Sequence, residues 1–272
     1  MDRQDLLDQL TTGVLGRPLF LYDSTDSTST QATLALASGR VGHGAAFVAA
    51  RQTAGRGADG SRWESSEADG LWMSLVLESP APSTAAALAL MPGIAVAAVL
   101  RDSWGIDAHL KWPNDVMVGT RKIAGVLVES RRVASGGLSH VVGIGVNLHQ
   151  TSFPAPLRHS AVSARMVRGD RLPTPIFFGQ LMSAIEALWA EPATWVDLWL
   201  SRTRMIGRRA TLHDGLGERS VDVVGVSREG ALQVRGQDGE VEQIISRTGL
   251  DVRVHWLDAQ PAQASWFSGV SA

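Results

Sequence analysis

Four segments of the chain gather residues that could handle an anion. Residues 52–63 (QTAGRGADGSRW) set Gly55, Gly57 and Gly60 beside Arg56 and Arg62. Glycines let successive backbone N–H groups close on an anion, and arginine adds a planar, permanent charge. A phosphate or carboxylate suits such a loop. The GK[ST] ending of a Walker loop is missing, and an ordinary strand connection would use the same glycines. Lys111-Trp112-Pro113-Asn114-Asp115 puts a cation and an aromatic ahead of a turn that Pro sets and Asn and Asp tolerate. On those five residues alone, a turn with a solvated lysine is the plainer reading. In Arg121-Lys122-Ile123-Ala124-Gly125 a lysine follows a Gly-Thr turn, and small Ala124 and Gly125 leave room for a ligand against a sheet. The Ser/Thr run at 24–30 serves either ligand contact or helix capping.

Other chemistries find little support. The 7 histidines are scattered without an HExxH pair, no GxSxG elbow is present, and there is no cysteine. Thiolate nucleophiles, Cys-ligated zinc and disulfide frameworks are excluded, and the composition fits a reducing cytoplasm. Tyr22, Trp189, Trp195 and Trp199 read most simply as core.

The elements that must position these residues follow from patterning. A short N-terminal helix leads to a strand at 18–23 (PLFLYD), and a helix capped within 24–30 runs to Ser38 and stops at Gly39. Residues 45–51 (AAFVAAR) form an apolar strand that empties into the glycine-rich loop, and 71–77 (LWMSLVL) is the next strand. Residues 84–104 read as a long buried helix kinked near Pro92. A strand ending in HLKW, a hairpin VMV-GT-RKIAGVLVE and a strand at 140–148 follow, then helices near 160–167, 175–190 and 193–205. Strands in succession around few helices indicate an α+β class with a mixed, largely antiparallel sheet. From Gly207, short β-like runs alternate with Asp-Gly and Glu-Gly turns, the spacing of a small β-barrel. The expected units are 1–206, 207–257 and a loose tail at 258–272.

With 272 residues the chain is long enough for one large and one small domain. Its 25 basic and 27 acidic side chains give a net charge of −2, which argues against a broad grip on nucleic acid. The apolar stretch 85–100 is broken by Pro92-Gly93, so a buried helix is expected rather than a membrane span.

Together, Ser27-Thr28-Ser29 at a helix start, Q-x-A-G-R-G ahead of a tryptophan, KWPND, RKIAGVLVE and GIGVNL, in this order, resemble the catalytic domain of biotin protein ligases. The C-terminal barrel resembles that family's small SH3-like cap, and the likeness spans about residues 19–254. It implies a class II synthetase-like fold: a mixed central sheet with helices packed on it. It also implies an enzyme that joins biotin to ATP with Mg²⁺, giving biotinyl-5′-adenylate. The biotinyl group then passes to a lysine of a carboxylase carrier domain, the enzyme acting as monomer or homodimer.

By the same resemblance Lys122, Arg56 and Lys111 are the catalytic cations, with Lys122 touching both the biotin carboxylate and the α-phosphate. Ser27, Thr28, Ser29, Gln52, Arg56, Gly57, Ala58, Lys122 and Gly125 are expected around biotin. Gly55, Arg56, Gly57, Trp63, Lys111, Asn114, Lys122, Asn147 and Arg253 are expected around the nucleotide, Trp63 near the adenine. Lys122 and Arg56 are therefore expected to converge on one small pocket.

The chain departs from the family pattern in places. Where the family loop reads GRGRxGRxW, this one reads GRGADGSRW, so Ala58 and Ser61 replace arginines. Each charged hydrogen bond to phosphate contributes about 1.5–3 kcal/mol, which predicts a loosely held adenylate released before transfer. The residues 1–17 ahead of the first strand are too few for a helix-turn-helix domain, so no DNA binding is expected. A lipoate or octanoyl ligase of the same fold, and a non-catalytic sensor of biotin or its adenylate, are the alternative readings.

Overall fold

The structure is a computed structural model that describes residues 1–78, 85–132, 137–214 and 217–256. Seven strands form the central sheet: β1 (Leu19–Tyr22), β2 (Ala46–Ala49), β3 (Gly70–Glu78), β4 (Ala108–Lys111), β5 (Asp115–Val118), β6 (Arg121–Arg132) and β7 (Leu138–Asn147). They lie in the order β1-β2-β3-β7-β6-β5-β4. Only β1 and β2 pair in parallel. A parallel pair needs a crossover, and after the short α1 (Arg3–Asp8), helix α2 (Thr28–Ala37) supplies it.

Side-chain alternation gives the sheet two different faces. From β3, Leu71, Met73, Leu75 and Leu77 point into the main core with Leu88, Met91 and Ile94 of α3 (Ala85–Ala98). On the opposite face α2 packs Ala32, Ala35 and Leu36 over Phe47, Val76 and Val141. That helix covers only part of its face, and the remainder becomes the site.

Helix α3 continues past Pro92, and its geometry changes only at Val99–Ser103, a π turn. Burial of Leu88, Met91, Ile94, Ala95 and Val96 around the proline outweighs the lost N–H. The helix expected near 160–167 is shorter, α4 (Ala164–Arg168). Ala161 instead bridges Lys122, which donates its N–H to Ser160 O at 2.7 Å and accepts from Val162 N at 3.0 Å. After α5 (Thr174–Ala190), α6 (Trp195–Arg202) ends before the expected 205. There Thr203 turns to bridge the outer edge of the sheet at Leu110. Among the described residues no helix is long and apolar enough to cross a membrane.

The five C-terminal strands are β8 (Arg209–His213), β9 (Glu218–Val226), β10 (Leu232–Arg235), β11 (Val241–Ile244) and β12 (Asp251–Val254). They form an antiparallel sheet in the order β11-β10-β9-β8-β12. Trp112 fastens this sheet to the central one. Its indole N–H donates to Gly230 O at 2.9 Å, and Leu212, Val223 and Leu232 share its apolar cluster. The expected tail at 258–272 lies outside the described residues.

Candidate active site

Across the face that α2 covers only in part, β3, β7 and β6 set their residues in rows. Trp72, Gly145 and Gly125 form one row; Ser74, Gly143 and Leu127 the next; Val76, Val141 and Glu129 the third. The glycines keep a floor clear. A Cβ at Gly143 would stand 2.8 Å from Ser29 Oγ, and one at Gly145 would stand 2.6 Å from the Trp63 indole. Above this floor lies a cavity of about 920 Å³, lined by both sheets and by the 52–63 loop.

Lys122 reaches the cavity through a register shift. β5 pairs Val116 with Ala124 but Met117 with Lys122, so Ile123 is an extra residue on β6. Strict alternation would send Lys122 and Gly125 to opposite faces, and a bulge resets the pleat and re-aims the side chain. The Lys122 ammonium accordingly comes within 3.0 Å of where a Gly125 Cβ would stand, and 5.2 Å from the centre of the Trp63 ring. It is paired with Asp115, whose second oxygen lies 3.9 Å from the Lys111 ammonium. One carboxylate thus gathers both expected lysines.

The polar end of the floor is a connected network. Thr28 donates its backbone N–H to Gln52 Oε1 at 2.8 Å, and its hydroxyl lies 2.8 Å from Ser74 Oγ. Ser29 Oγ is 3.0 Å from Ser74 Oγ, and Gln52 Nε2 donates to Ser65 Oγ at 3.0 Å. Ser27 occupies the N-cap of α2 but makes no side-chain capping bond. The capping reading therefore does not account for this buried serine, and Thr28 and Ser29 turn toward the sheet. Buried hydroxyls and an amide beside an apolar wall suit a small ligand with a polar head.

The arginine loop is closed on itself. Arg56 and Arg62 pair as an isolated bridge around a 3₁₀ turn at Ala58–Gly60, and the Ser61 hydroxyl donates to Ala58 O at 2.6 Å. The Arg56 guanidinium makes a two-pronged contact with Glu129, at 2.7 and 3.3 Å. Arg56 and Lys122 therefore line one cavity, as expected, but their charged ends are held on different carboxylates.

The other expected residues fall as follows. Gly57, Ala58, Trp63, Asn114, Asn147 and Arg253 all line the cavity. Asn114 donates to Val126 O at 2.6 Å and Asn147 to Val162 O at 3.2 Å, so both brace backbone there. Arg253 on β12 is paired with Asp251 at 2.8 Å, a hydrogen bond that raises its already high pKa. Glu64 at the rim is held below the ordinary carboxylate value, chiefly by the Ser66 hydroxyl. Gly55 is not among the lining residues. It lies behind the loop, where a Cβ would meet Ser65 Oγ and Trp63 O.

Sequence reasoning missed Ser74, Asp115 as the partner of two lysines, and Glu129. Ser74 had a signal: it is the one polar residue inside LWMSLVL. Glu129 had another, since it stands four residues beyond Gly125 and so shares its face of an unbroken strand.

Comparison with known proteins agrees with this geometry. Residues 21–148 match the family model for the biotin/lipoate A/B protein ligase family. The biotin–[acetyl-CoA-carboxylase] ligase of Paracoccus denitrificans is 34% identical, over 79% of this chain and 93% of the relative. The bifunctional ligase/repressor BirA of Bacillus spizizenii is 30% identical, over 85% of this chain and 73% of the relative. Among solved structures, the biotin protein ligase of Aquifex aeolicus in complex with biotin and ATP superposes with a TM-score of 0.73. It is 26% identical, covering 89% of this chain and all of that one. The chain belongs to the biotin/lipoate A/B protein ligase family, among its biotin protein ligases.

Proposed function

We propose that this cavity condenses biotin with ATP to biotinyl-5′-adenylate and then presents the adenylate to a lysine of a biotin carboxyl carrier domain. The observation that carries the reading is the pairing of Lys122 and Lys111 on Asp115 above a glycine floor, beside a buried hydroxyl and amide network. In the first step a biotin carboxylate oxygen attacks the α-phosphorus and pyrophosphate departs. Two like charges 4 Å apart repel by about 4 kcal/mol at an effective dielectric near 20, so fixed cations between them lower the barrier. Lys122 stands at the floor for that purpose, with Lys111 behind it and Arg56 on the loop. In the second step the carrier lysine's amine attacks the acyl carbon and AMP departs. The acyl group is already activated, and positioning supplies most of the acceleration.

Ser29, Thr28 and Gln52 take the polar head of biotin, Ser27 lies beside them, and Leu127, Ile144 and Val126 wall its apolar part. Trp63 packs beside the nucleotide, and Arg253 approaches it from the second sheet. Mg²⁺ belongs on the phosphates. The cavity's carboxylates include Asp115, already engaged by two lysines, and no group of three or more His, Asp or Glu gathers among the described residues. That donor set fits an ion held mainly by nucleotide oxygens. Residues 1–206 form the catalytic unit and 207–257 the cap, in a cytoplasmic enzyme without a DNA-binding role; a salt-sensitive shift of an operator fragment would count against the last point.

Biotin-dependent exchange of labelled pyrophosphate into ATP tests the first step. Exchange is expected with biotin and not with lipoate. Binding of biotin without exchange would favour a sensor, and exchange with lipoate alone would favour a lipoate ligase.

A further inference from the structure

The charged end of Arg56 is held in the third row of the floor, on Glu129, whereas Lys122 works at the first row, against Gly125. Glu129 stands four positions beyond Gly125 on β6, which at roughly 3.3 Å per residue puts about 13 Å between their backbones. A guanidinium that remains on Glu129 is thus anchored two rows away from the floor position where Lys122 would hold an anion. Glu129 does not depend on Arg56 alone, because Arg131 lies 3.5 Å from Glu129 Oε1, the oxygen that Arg56 holds more loosely at 3.3 Å. Releasing Arg56 therefore leaves the carboxylate paired. The Arg56 and Glu129 side chains are 38% and 22% exposed, so water already screens the pair and its rupture is within reach of a bound anion.

We propose that Glu129 is a positioning residue that competes with the substrate anion for Arg56. Its carboxylate draws the guanidinium toward the α2 end of the floor, and a carboxylate or phosphate seated at Lys122 has to win it back. Glu129 thereby sets how tightly the loop closes on the adenylate. The cost falls on binding, not on the reacting atoms, because Glu129 itself lies outside the cavity lining. The inference rests on the ligase reading above.

The test is Glu129→Gln, which keeps shape and removes charge, with Glu129→Asp as a shorter charged variant; thermal melting confirms that each folds. Pyrophosphate exchange is measured at varied biotin and varied ATP, and adenylate release is followed after one turnover. Glu129→Gln is expected to lower KM by about two- to fivefold, the size a screened ion pair supports, with kcat unchanged and slower adenylate release. Glu129→Asp should fall between it and the parent, and the gain should vanish when Arg56→Ala is added. A KM for folded Glu129→Gln equal to or above the parent's would overturn the proposal, since a merely structural or pre-organising pair gives that result. If Glu129→Gln does not fold, an unchanged or raised KM in Glu129→Asp overturns it in the same way. A parent with no exchange would instead contradict the ligase reading itself.

Discussion

Lys122 is asked to lie between two anions, and a charged hydrogen bond of that kind contributes about 1.5–3 kcal/mol. Lys122→Ala should therefore reduce the rate of pyrophosphate exchange by about ten- to hundredfold while leaving the melting temperature close to the parent's; a variant that keeps full exchange would remove Lys122 from the mechanism. The floor makes a second demand. A methyl group at Gly143 would press on Ser29 Oγ from 2.8 Å, and overpacking of that kind costs about 1–3 kcal/mol. Gly143→Ala is expected to weaken biotin binding about tenfold in calorimetry, with little change in KM for ATP. Ala58 lines the cavity where the family pattern carries an arginine. If the missing charge loosens the adenylate, Ala58→Arg should lengthen its retention after one turnover, and equal retention in both proteins would dismiss the idea.

At the scale of elements, the strands around the site were legible because each is a short apolar run with a turn behind it. The barrel strands were legible from their regular spacing. What the sequence did not show was long-range register. Nothing local to 121–125 reveals that Met117 pairs with Lys122, yet that slip puts the lysine on the cavity face. The same holds for residues 160–162, which carry helix-like composition but are drawn into pairing with Lys122. Asp115 is visible in KWPND as a turn former, but its pairing with Lys122 is not, because that lysine becomes a neighbour only through the bulged hairpin. A carboxylate on α5 shows a comparable long-range contact. Glu186 accepts the backbone N–H groups of Gly13, Val14 and Leu15 at 2.9, 2.9 and 3.0 Å. Burial acts to raise its pKa, and these three hydrogen bonds together with the nearby His43 more than offset that, leaving it lowered. Glu186→Gln should lower the melting temperature by several degrees, about 1–3 kcal/mol for a weakened charged acceptor, with exchange kinetics unchanged. An unshifted melt would show that the clamp contributes nothing to stability.

Over the whole molecule, two buried histidines link stability to pH. Burial, then the nearby Arg204, lowers the His109 pKa to about 4, and burial with Arg171 does the same at His149. In the unfolded chain such groups titrate near 6.5. Between those values the unfolded state binds more protons than the folded one, so stability present above pH 6.5 is lost as the pH falls toward 4. His109→Gln should flatten the dependence of melting temperature on pH across that window, and an unchanged slope would contradict the assignment. The same region joins the two sheets, since His109 meets Trp256 edge to face with ring centres 5.2 Å apart. The cavity draws walls from both sheets, and under the proposed function that shared site is where biotin, nucleotide and carrier would meet. The most direct measurement is the intact mass of a biotin carrier domain incubated with this protein, biotin, ATP and Mg²⁺. The carrier lysine is expected to gain one biotinyl group, dependent on ATP and abolished or strongly slowed in Lys122→Ala. A carrier of unchanged mass, with parent protein that is folded and binds biotin, would contradict it.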